Sequence, residues 1–231
     1  FLYAAAGSAL HVFVLGALNN RARANAPLSP MRYGPLVKRG QGFVDLPEGF
    51  NYTVIQRAGA EMSDGQRLPY QPDGMACFLD THGQYVLLRN HELMGRGHLE
   101  SYQPVYYPFP LPGGQQPAQA YNSSLYGGVS RVVVSPAQLA KDLGRGYGID
   151  STSAVASNHV LTGTDRNCGG GLVAGGWASC EESSEPGHGY AFLTYPNDEK
   201  VTPPRRMDSW GRFHREAVSW DPKTGTVYMT E

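Results

Sequence analysis

Short runs of β-branched and aromatic residues, each bounded by glycine, proline, asparagine or aspartate, recur along the chain and commit most of it to strands. They are NYTVIQRAG (51–59), GQYVLLRNHE (83–92), GGVSRVVVS (127–135), GWASCEES (176–183), GYAFLTY (189–195) and TVYMTE (226–231). The clearest hairpin is EAVSWDPKTGTVYMTE, where Asp221-Pro222-Lys223-Thr224-Gly225 supplies a tight turn. Helix signals are confined to SPAQLAKDL (135–143), with Ser135 as cap and Pro136 in the first turn. Short antiparallel strands at this density build a sandwich, a barrel or a propeller, so the expected class is all-β. Residues 101–126, rich in Pro, Tyr, Gln and Gly, follow neither period and read as a long loop.

The 231 residues, 41% of them hydrophobic, suffice for one sizeable core. With 19 basic against 20 acidic side chains, the chain lacks the broad positive field of a nucleic-acid binder. Small molecules, ions or proteins are the expected partners. Residues 1–18 are the only long apolar stretch, and Ala24-Asn25-Ala26 has the form of a signal-peptidase site. Residues 1–26 therefore read as the remnant of an export signal and 27–231 as the folded domain. Cys77, Cys168 and Cys180 are odd in number, so at least one thiol has no partner within the chain. A Cys168–Cys180 disulfide is the ordinary alternative. Cys77, in an apolar setting, reads as a buried small hydrophobe. Trp177 and Trp220 read as core, and Asp73 before Gly74 could be a ligand but reads first as a turn former.

Three strand-like runs finish in acids: Glu92 after Asn90-His91, the pair Glu181-Glu182, and Glu231. A fourth acid, Glu216, precedes a strand. Carboxylates closing apolar strands cost desolvation unless positive charge meets them. If equivalent strand ends converge, these acids crowd one pocket and require cations. Oxygen donors suit calcium, and a thiolate from Cys168 selects a softer metal such as iron or zinc. In DRNCGGGLV (165–173) the glycines would let Asn167 and Cys168 approach such a metal. No P-loop Lys-Ser/Thr follows the glycines, no cysteine pair has zinc-finger spacing, and no serine sits in a Gly-x-Ser-x-Gly turn.

The ordered pieces PDGMACF (72–78), VLLRNHE (86–92), GGVSRV (127–132), RNCGGG (166–171), WASCEES (177–183), HGYAF (188–192) and GRFHREAVSWDPKTGTVYMTE (211–231) resemble the PhoX-type alkaline phosphatases. The resemblance implies a six-bladed β-propeller, of which this chain is an incomplete N-terminal portion. It implies a central iron and calcium cluster that hydrolyses phosphate monoesters in the periplasm or outside the cell. By motif, Cys168, Glu181 or Glu182, Glu216, Glu92 and Glu231 match metal ligands, and Asn90 and Asn167 face the same pocket as substrate contacts. The expected nucleophile is an oxygen held by the metals, the expected partner is a small phosphate ester, and the complete protein is expected to be a monomer. Residues 1–10 resemble the stretch after the twin arginine of a Tat signal, so membrane contact is expected only through that signal. His214-Arg215-Glu216 departs from the family's Ser-His-Glu. Two other readings remain: a non-catalytic, calcium-binding exported propeller, and a propeller lactonase or esterase.

Overall fold

The computed structural model describes residues 33–38, 42–93 and 116–231. The export signal and residues 101–115 of the expected loop lie outside them. Two four-stranded antiparallel sheets dominate. The first runs in the order β4 (Pro72–Leu79), β5 (Tyr85–His91), β6 (Gly127–Val134) and β8 (Ala154–Thr164). The second runs β12 (Arg205–Arg206), β11 (Ala191–Thr194), β10 (Gly176–Cys180) and β9 (Gly171–Val173). The expected hairpin follows as β13 (Val218–Trp220) and β14 (Val227–Met229). Shorter pairs are β1 (Leu36–Val37) with β2 (Leu46–Pro47), and β3 (Thr53–Val54) with β7 (Ile149–Asp150), the latter parallel. The class is all-β, and the described residues do not close a ring.

Packing arranges these sheets as successive layers. One apolar cluster joins Ala76, Leu88, Val129, Val160 and Leu161 of the first sheet to Trp177 and Phe192 of the second. Another joins Val173, Ala178, Cys180 and Ala191 of the second sheet to Val218 of the hairpin, with Trp220 packed partly buried against it. Full burial of each large side chain contributes roughly 1.5–3 kcal/mol. Strand β6 is buried along its whole length, because layers cover both faces, and its GGVSRVVV sequence accordingly fails to alternate.

The helix α1 (Pro136–Arg145) starts where expected, with the Ser135 side chain accepting from Gln138 N. At its other end Asn51 Nδ2 donates to the carbonyls of Leu143 and Gly146 and so caps the helix. Asp142 anchors the helix to residues 151–152. Burial alone would raise its carboxyl, yet bonds from Ser151, Thr152, Gln138 and Arg145 hold it down at about 2. The outer edge of β8 is met by side chains of a turn that precedes β4: Ser63 Oγ accepts from Ser157 N at 3.0 Å and Asp64 Oδ2 from His159 N at 2.8 Å.

All three thiols are free, as expected of at least one, so the alternative Cys168–Cys180 disulfide is not formed. The Cys77 expectation needs correction: it is exposed, because strand alternation turns it to the outer face while Ala76 faces the core.

Candidate metal centre

Both four-stranded sheets present their chemistry by the same local device. In the first, Gln71 has φ 48°, Asp73 follows two residues later, and the Gln71 carbonyl accepts from Glu92 N at 2.9 Å. In the second, Arg166 has φ 49°, Cys168 follows two residues later, and the Arg166 carbonyl accepts from Glu182 N at 2.9 Å. A non-glycine residue in this region costs on the order of 1–3 kcal/mol and persists where its surroundings hold it. Here the hold comes from the site itself. Each sheet thereby brings one donor just before or at the start of its first strand beside one just after its second.

The strands β4 and β9 then bring the two pairs together. A Cβ on Gly74 would lie 1.8 Å from Gly169 O, and one on Gly171 would lie 2.0 Å from Val218 O. The run Gly169-Gly170-Gly171 therefore serves backbone contact between neighbouring layers, rather than the unobstructed approach to a metal expected from the sequence. Gly170 also has φ 63°, with Gly170 N donating to Glu216 O and Val218 N to Gly170 O.

Asp73, Glu92, Glu182 and Cys168 interact as one electrostatic group. Burial raises the Asp73 carboxyl, against lowering contacts from Glu92, the Gly74 N–H and Cys168. Burial, then the charges of Asp73 and Glu182, push Glu92 up to about 7, with Arg166 opposing them. Burial and the Asp73 charge drive the Cys168 thiol well above its ordinary range. With Asp73, Glu92 and Cys168 each raised, first of all by burial, this group holds protons where cations would replace them. The donors suit calcium and iron in kind. Among the described residues no three His, Cys, Asp or Glu side chains stand in a ready coordination geometry.

Asp73 is the addition to the expected set, weighed in the sequence as a ligand but set aside for a turn. It stands on β4 at a register shift between Pro72 and Met75, and not in a turn.

Several expected site residues have other partners. Asn90 is fully buried, with Nδ2 donating to Cys168 O and Oδ1 accepting from Trp177 Nε1 at 2.8 Å. Asn167, also fully buried, donates to Ser179 Oγ at 2.7 Å and accepts from Thr164 Oγ1. Both were expected to touch substrate; their amides are instead committed to holding the cysteine loop. Glu181 has no exposed surface and its two oxygens accept from Asp165 N, His188 Nδ1, Gly189 N and Tyr190 N. That saturation leaves Glu182 as the member of the pair that meets the cluster. Hydrogen bonding to Glu181 raises the His188 imidazole, so this histidine does more than precede a strand.

Glu216 stands just before β13 and Glu231 just after β14, the positions that correspond to the donors of the other two sheets. The Glu216 backbone touches the glycine run, and Glu216 N donates to Thr230 O at 3.0 Å. Both side chains are exposed. His214 Nδ1 is 3.9 Å from Glu182 Oε1 at the open side.

Fold and site together define an all-β protein of layered antiparallel sheets whose strand ends gather oxygen and sulfur donors suited to cations. The family model for alkaline phosphatase PhoX matches residues 31–231, and the chain belongs to that family. Searches of curated proteins and of solved structures returned no match.

Proposed function

We propose that the protein is an exported phosphatase that hydrolyses phosphate monoesters with an iron and calcium centre in the pocket of a six-bladed propeller. The observation that carries the reading is the convergence of Asp73, Glu92 and Glu182 on Cys168 in a chain of this family. Cys168, Asp73, Glu92 and Glu182 would hold the metals, with Glu216 and Glu231 as further ligands from the third layer. When bound, such metals neutralise a dianionic ester and act as Lewis acids on the oxygens of an in-line displacement.

The chain's own residues prepare this site. Cys168 and Glu92 release their protons as cations load, so loading strengthens with rising pH. Asn90 fixes the Cys168 carbonyl, and Glu181 with His188 fixes the loop that carries Glu182. Small phosphate esters are the substrates in this reading, with the complete protein a monomer in the periplasm or outside the cell.

The test is metal analysis of the full-length protein together with turnover of p-nitrophenyl phosphate. The expected result is iron and calcium in the wild type, and loss of iron and of turnover in Cys168→Ala. A folded protein containing calcium alone and inert toward the ester would instead identify a calcium-binding propeller or a lactonase-like relative.

A further inference from the structure

The donor cluster is flanked by Arg166, whose charge opposes the raising of Glu92. Every other arginine among the described residues donates a hydrogen bond through its guanidinium: Arg57, Arg67, Arg89, Arg131, Arg145, Arg205, Arg206, Arg212 and Arg215 each have a named acceptor. The Arg166 guanidinium donates none there, and its nearest anion is Asp165 Oδ2, 3.8 Å from Nε. Its side chain is 23% exposed. It is also fixed at its root: Arg166 N donates to Leu93 O at 3.0 Å and its carbonyl accepts from Glu182 N, each partner being a cluster acid or its neighbour. Its backbone is held at φ 49°, a conformation that asparagine or glycine would adopt more readily. A tethered, partly exposed guanidinium with its N–H fork unused, beside a site for cations, has the properties of an anion-recognising group.

We propose that Arg166 is a specificity-determining residue that binds the phosphoryl oxygens of the substrate and of the phosphate product. The identity of the anion rests on the phosphatase reading above; the availability of the guanidinium does not. Two outcomes separate this role from that of a mere counter-charge for Glu92. A counter-charge competes with cations, so its removal leaves phosphate affinity unchanged and favours metal loading. An anion anchor, when removed, weakens phosphate binding and leaves the metals in place.

The experiment uses the full-length protein with Arg166→Asn, which suits the backbone, and Arg166→Lys, which keeps the charge without the fork. Binding of inorganic phosphate is measured by calorimetry, and iron and calcium by elemental analysis, with thermal melting as the check on folding. Arg166→Asn is expected to weaken phosphate binding by about 10- to 100-fold with metal content unchanged, and Arg166→Lys to recover part of it. In turnover of p-nitrophenyl phosphate, the same variant should raise KM more than it lowers kcat. Phosphate affinity within about twofold of wild type, no phosphate binding by the wild type, or weakening seen only together with metal loss overturns the proposal. If the wild type holds no metal and turns over no ester while phosphate binding still depends on Arg166, the phosphatase reading fails and the anion site stands.

Discussion

Glu92 carries the clearest single-residue consequence of the cluster. Its carboxyl rises from 4.5 to about 7 on folding, through burial and then the charges of Asp73 and Glu182. A carboxyl raised in this way binds its proton more tightly in the folded chain, so without metal the folded state loses stability as pH climbs from near 4.5 through 7. Glu92→Gln removes that burden. At pH 8 the metal-free variant should melt above the metal-free wild type, by about 1 kcal/mol after allowance for screening of a partly exposed group, or roughly 2–4 °C. Calorimetry with and without calcium checks it, since the wild type should gain more from added metal than the variant. The acids at strand ends were legible in the sequence. Asp73 was not, because Asp-Gly is also the commonest signature of a tight turn. The choice between Glu181 and Glu182 was open to a further reading, since consecutive residues of an extended chain face opposite ways.

Among the strands, the close meeting of β4 with the segment before β9 is the most exacting contact. Ala at position 74 would place its Cβ 1.8 Å from a backbone oxygen, and backbone cannot yield as a side-chain tip can. Gly74→Ala should therefore cost about 1–3 kcal/mol, seen as a melting temperature lower by several degrees. It should also separate Asp73 from Cys168 and reduce metal uptake. The helix and the final hairpin were legible from their punctuation alone. Strand β8, at 11 residues the longest among the described residues, was not. Its interior holds Ser157, Asn158, His159, Thr162 and Thr164, all buried polar residues that break any hydrophobic alternation. Neighbouring layers supply their partners, as when Asn158 Nδ2 donates to Asp198 O at 3.1 Å. Strand β4 was hidden by its opening Pro-Asp-Gly.

At the scale of the whole molecule, three layers stacked in chain order place corresponding strand ends at one side, so a site can be assembled from residues as far apart as Asp73 and Glu182. The all-β class was legible because turn residues delimit strands; the layering was not, because it depends on contacts between sheets that no local pattern encodes. The same stacking leaves β8 as a sheet margin that is closed by Ser63 and Asp64 side chains. Burial would raise the Asp64 carboxyl, but bonds from His159 outweigh it and hold the group below its ordinary 3.8. Its grip on His159 N is thus complete above pH 4 and is lost as acidity passes below that value. An uncapped strand margin offers its amides to any other chain. Self-association of the folded protein, followed by light scattering during acidification, should begin below pH 4 and should already be present at neutral pH in Asp64→Ala; an ionised side chain beside Ser63 would then act as a guard against intermolecular sheet growth.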